Sequence, residues 1–175
     1  MSAQVRQLQS RLETLQRRGA AVVEVAGCRH DLAFALQDAG RLAEAERQFA
    51  TAHREFSATV GAWHAITVSC QLNLALAIWQ QGRLADAEQL LRQVEQARRA
   101  QFGPTHQLTI NARGNLLEVI AERGQTGAAR DGYRGLVADC ERAYGPDSDL
   151  TVAVRTRLGE LSGHTGRWPW RRRRP

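Results

Sequence analysis

The chain contains no lysine, so all 24 of its basic residues are arginine; aromatics make up 6% of its 175 residues, and prolines number four. Low aromatic and proline content argues against an all-β fold built of many short strands and against a disordered chain. No run of about 20 apolar residues occurs, as a membrane-spanning helix would need. The opening stretch MSAQVRQLQSRLETLQRR lacks the apolar centre of a secretory signal, which leads to the expectation of a cytoplasmic protein. Three cysteines, Cys28, Cys70 and Cys140, are too few for a disulfide framework and read as reduced thiols. No Gly-rich phosphate loop, nucleophile elbow or paired-carboxylate motif appears. Cys28 and His30, two apart on a helix, point to different sides, so neither metal nor cofactor is expected and no catalytic residue is assigned.

Charge is also scarce once its position is considered. The formal net charge is +6, but Arg167 and Arg171 to Arg174 supply five positive charges within the last nine residues. Residues 1–166 hold 19 arginines against 18 acidic side chains, so the body is nearly neutral.

What is present is periodicity. Gly19, Gly40, Gly61, Gly82, Gly103, Gly124, Gly145 and Gly166 stand 21 residues apart. Glycine just past a helix end closes off the last carbonyls in a left-handed conformation, so each is a predicted helix stop. Between stops the apolar residues recur at three and four, as in Leu42, Ala45, Phe49, Ala52 and Phe56, which is helical spacing. A second period of 42 relates Leu32, Leu74, Leu116 and Leu158, then Ala45, Ala87 and Ala129, then Phe49, Leu91 and Tyr133. The repeating unit is therefore a hairpin of a helix A and a helix B, with the small Ala permitting close approach and the larger residue filling the gap beside it.

The stretch NLALAIWQQGRLADAEQLL, Asn73 to Leu91, resembles a tetratricopeptide repeat (TPR). The 42-residue unit is similar to the kinesin light chain subtype, which also occurs in the C-terminal arrays of bacterial signalling ATPases. That subtype carries L-G-x-x-H-P-x-T between units. Here VGAWHAIT, FGPTHQLT and YGPDSDLT keep most of the pattern, although no His-Pro remains and Ser148 replaces the third histidine. The resemblance implies an all-α, right-handed α-solenoid of antiparallel helical hairpins, about eight helices in all. An N-terminal capping helix (1–19), with Val5, Leu8, Leu12 and Leu15 in phase with helix B, precedes the array at 20–166. Its units are expected at 22–61, 64–103 and 106–145 with a final helix at 148–165, and the Arg/Trp-rich tail is 167–175.

In such arrays the A helices line a concave groove. Matching positions give groove candidates Asn73, Leu76, Trp79 and Gln80 in one unit, and Asn111, Asn115, Glu118 and Glu122 in the next, followed by Arg157. The resemblance makes Asn73 and Asn115 holders of a bound peptide's backbone. Trp79, whose equivalents are Gln37, Ala121 and Gly163, is expected as an anchor, since the repeat does not demand a large side chain there. The acidic residues near Arg157 suggest a charged end suited to a basic peptide. The implied function is a non-enzymatic adaptor for a protein or peptide partner. The alternatives are a self-associating, homodimeric regulatory module of a signalling or transcription system, and a small enzyme using the cavity. Arg167, Trp168, Trp170, Arg171, Arg172, Arg173 and Arg174 form a candidate tail for an anionic partner, nucleic acid or membrane. Gly127, Gly132 and Gly135 inside one B helix signal either looseness or a close neighbour.

Overall fold

The computed structural model describes residues 2–161; Gly166 and the whole Arg/Trp tail lie outside the described residues. Eight helices follow one another: α1 (Ala3–Arg17), α2 (Val22–Asp38), α3 (Leu42–Val60), α4 (Ala65–Gln80), α5 (Leu84–Phe102), α6 (Gln107–Glu122), α7 (Thr126–Tyr144) and α8 (Asp149–Glu160). No strand occurs among the described residues. The chain forms two compact units, one ending at Leu90 and the other beginning at Leu91, inside α5.

The seven described ladder glycines all have positive φ, from 66° at Gly19 to 100° at Gly61. They close two kinds of turn. After α2, α4 and α6, the residue following the glycine reaches back over five: Arg41 N to Leu36 O, Arg83 N to Ile78 O and Gln125 N to Ile120 O. After α3, α5 and α7, the glycine itself caps the helix, as Gly61 N to Ser57 O, Gly103 N to Arg99 O and Gly145 N to Glu141 O. Two turn types at alternate glycines are the physical content of the A and B distinction.

By that criterion α1 is of the A kind, not the B kind its spacing suggests. Ala20 N bonds Leu15 O and Gly19 N bonds Gln16 O, the pattern that ends α2. Its buried residues Val5, Leu12 and Leu15 stand at the same distances before Gly19 as Ala26, Ala33 and Leu36 before Gly40. Helix B burial would instead fall at the equivalents of Ala45, Phe49, Ala52 and Phe56, namely Ala3, Gln7, Ser10 and Thr14, all of which are exposed. A stripe spaced by three and four fits either phase, and only the cap bonds and burial separate them.

Helix starts follow from the linkers. The Nδ1 atoms of His64 and His106 accept the backbone N–H of Ile66 and Leu108, at 3.3 and 3.1 Å. Ser148 does the same work with its hydroxyl, accepting from Thr151 N at 3.2 Å. The histidine-to-serine departure therefore leaves the cap in place.

Ala45, Phe49, Leu32 and Leu74 are buried in the first unit, and Leu91, Ala129, Tyr133 and Leu116 in the second. The glycines inside α7 have a concrete cause at two of three positions. A Cβ on Gly132 would lie 2.2 Å from Leu117 Cδ2, and one on Gly135 would lie 3.0 Å from Arg113 Nη2, so α6 approaches α7 closely there. A Cβ on Gly127 would meet nothing.

Candidate functional site

In the first unit the candidate face is built from one side of α2 and one side of α4. Residues 30, 34 and 37 of α2 share a face by helical spacing, as do 73, 76 and 80 of α4. Two amide-centred bonds join them. Asn73 Nδ2 lies 2.9 Å from His30 Nε2, and Gln37 Nε2 donates to Gln80 Oε1 at 2.8 Å. Between these bonds Phe34 and Leu76 are half-buried. His30 stands edge-on to Phe34 and Phe49, with ring centroids 4.9 and 5.5 Å away. Burial holds its pKa below the usual histidine value, with the neighbouring Asp31 opposing, so the ring is neutral and accepts from the Asn73 amide.

Trp79 is 4% exposed, so its indole belongs to the packed interior. The expectation of a groove-wall anchor gives way to the packing alternative at this position. The signal that suggested function, a large residue where equivalents are Gln, Ala and Gly, also describes a core position filled once.

In the second unit the same register carries charge. Arg157 donates through Nε and Nη2 to the two carboxylate oxygens of Glu118, each at 2.6 Å. Arg157 also reaches Glu160 at 3.1 Å. The Tyr133 hydroxyl contacts both Glu118 Oε1, at 2.5 Å, and Gly114 O, at 3.2 Å. Side-chain exposure is 5% for Glu118 and 12% for Arg157. Burial, followed by the Glu118 charge, pushes the Tyr133 phenol pKa well up, so it remains a neutral donor. Hydrogen bonding to Glu118 raises the Arg157 pKa against the opposing effect of burial. These charges satisfy one another inside the protein, so Glu118 and Arg157 do not form the open charged groove end expected for a basic peptide. Glu122, one turn further, is exposed.

Asn111 and Asn115 share the face of Glu118 on α6, at i, i+4 and i+7. Asn115 is buried and Asn111 half-buried, and Asn111 Oδ1 is shielded from solvent with no hydrogen-bond partner. Sequence position selected both asparagines; only the coordinates single out the unpaired acceptor.

The thiols are buried. Cys28 and Cys70 donate to Leu8 O and Phe49 O, at 3.7 and 3.5 Å, the same contact one repeat apart. Burial pushes the Cys70 pKa up to about 12 and that of Cys140 to about 11. Among the described residues no cluster of three His, Cys, Asp or Glu side chains gathers, and no helix is long and apolar enough to cross a membrane.

Comparison with known proteins agrees with this geometry. No curated protein sequence matches the chain. Among solved structures, the nearly identical TPR-like repeats assigned to a Podosopora anserina kinesin light chain superpose with a TM-score of 0.80 at 19% identity, covering 91% of this chain and 77% of that one. A single-substitution variant of those repeats gives the same TM-score at 18% identity. BtubC (BKLC) from P. vanneervenii gives 0.68 at 17% identity, covering 92% of this chain and 66% of that one. The tetratricopeptide repeat family pattern matches residues 24–100 and 71–134. With alternating turn types, A and B registers and this match over most of its length, the chain belongs to the tetratricopeptide repeat family, with the fold of kinesin light chain-like repeats.

Proposed function

We propose that the chain is a non-enzymatic protein–protein interaction scaffold that holds a peptide segment or helix of a partner against its A-helix faces. The tetratricopeptide fold supports the general role of binding protein partners. The observation that carries the finer reading is Asn111 Oδ1, a shielded acceptor with no partner, one turn from Asn115 on α6. Leaving such an acceptor unpaired costs about 1–3 kcal/mol, and a backbone N–H of a bound segment would satisfy it without any requirement on sequence. In the first unit, Asn73 spends one amide N–H on His30, and its Oδ1 serves a ligand in the same way.

The test is selection of binders from a random peptide display library on the full chain, followed by affinity measurement with Asn111→Ala and Asn115→Ala. Asn111→Ala should weaken selected peptides by about 3–10-fold, the loss of one hydrogen bond, while leaving the melting temperature unchanged or raised. Peptides that bind both variants as tightly as the parent would sink the reading.

A further inference from the structure

Helix α8 is an A helix whose far side carries nothing among the described residues. Position by position, Ala26, Val68 and Ile110 of α2, α4 and α6 are buried, whereas the equivalent Val152 is 45% exposed. One turn-pair later, Ala33, Ala75 and Leu117 are buried and the equivalent Gly159 is exposed, with open space where its Cβ would be. In α6 this side is covered by the following B helix, since Leu117 lies against Gly132 of α7.

The repeat also states the charge of what should lie there. Arg29 of α2 pairs with Glu55 of α3 at 3.0 Å, and Arg113 of α6 pairs with Asp139 of α7 at 2.7 Å. Arg29 and Arg113 are equivalent, as are Glu55 and Asp139, so an A-helix arginine meets a carboxylate of the following antiparallel helix twice in one register. The third arginine of that set, Arg155, has no such helix on α8. It turns back to Glu141 and the Pro146 carbonyl, in a pair whose side chains are 45% and 43% exposed. An exposed pair of this kind is weak and readily exchanged.

We propose that this side of α8 is a docking site for an amphipathic α-helix of a partner protein, lying antiparallel to α8 with an apolar residue on Val152 and Gly159 and a carboxylate on Arg155. Residues 162–175 contain neither Asp nor Glu and cannot supply that carboxylate. The outward residues of α1, Gln7, Ser10 and Thr14, are polar, so a second copy stacked head to tail does not match the apolar requirement. The site is separate from the A-helix face around Asn111, and failure of either leaves the other standing.

The probe is a labelled synthetic peptide with the sequence of residues 42–60, the α3 helix, which carries Phe49 as its bulky residue and Glu55 as its carboxylate. Added to the full chain in a fluorescence anisotropy titration, it should bind saturably. Val152→Arg and Arg155→Glu, both at exposed positions, should each weaken it by roughly tenfold, with an unchanged circular dichroism melt showing that they fold. Against Arg155→Glu, a peptide carrying Glu55→Lys should recover the lost affinity, which a merely hydrophobic contact would not do. Absence of saturable binding, or equal binding by parent and variants, overturns the proposal. So does binding that appears only after residues 162–175 are deleted, which would make the chain's own segment the occupant. Concentration-dependent dimerisation abolished by Val152→Arg would make a second copy the occupant, and also overturns it.

Discussion

At the scale of single residues, the buried Glu118–Arg157–Tyr133 network and His30 show how position alone misleads about chemistry. Glu118 and Arg157 sit where a peptide groove is expected, yet they face each other at 2.6 Å and are nearly dry. Removing one member strands the other's charge, so Glu118→Ala should lower stability by about 3–5 kcal/mol. The double replacement Glu118→Leu with Arg157→Met should cost less than either truncation, because no lone charge remains; urea denaturation of the three variants measures this. His30 adds a pH dependence of definite sign. Its folded pKa lies below the usual value near 6.5, chiefly through burial, as does that of His53. The unfolded chain therefore binds more protons in this window, and stability is full above about pH 6.5 and declines as pH falls toward the folded pKa. Thermal melts between about pH 7.5 and 5 should show the decline, and His30→Gln should flatten it in part, leaving the His53 share.

At the scale of elements, α7 carries its own internal control. Gly132 lies under Leu117, and Gly127 faces open space. Gly127→Ala should stabilise by up to about 1 kcal/mol, the helix propensity difference alone. Gly132→Ala gains the same propensity but drives a methyl into Leu117, and overpacking of about 1–3 kcal/mol should leave it neutral to destabilising. Adding Leu117→Ala to Gly132→Ala should show positive coupling in a double-mutant cycle, because the clash disappears with the Leu117 side chain. The sequence marks three glycines in α7 as anomalous and cannot rank them, since whether a neighbour lies over a glycine is a property of α6. The same limit applies to α1. Its apolar spacing is legible, but its register is set by which carbonyl the turn at Gly19 closes upon.

At the scale of the whole molecule, charge and repeat have different weights. Five of the six net positive charges come from the last nine residues. Truncation after Gly166 is therefore expected to remove both the affinity for random-sequence DNA at low salt and its steep salt dependence, read by filter binding or anisotropy between about 50 and 200 mM salt. Binding unchanged by the truncation would place the anionic contact on the body instead. The sequence by itself determined the all-α hairpin fold, the turn positions and the cap residues, because a glycine with positive φ, a capping side chain and an apolar stripe are local requirements written at fixed spacing. Only the tertiary structure decided which face residues are spent. Trp79 is core, Glu118 and Arg157 neutralise each other, Asn73 is engaged by His30, and Asn111 Oδ1 and the Val152 side of α8 are left over. Whether a side chain is occupied depends on what the neighbouring helix brings within about 3 Å, and that distance is fixed by packing between elements far apart in the chain.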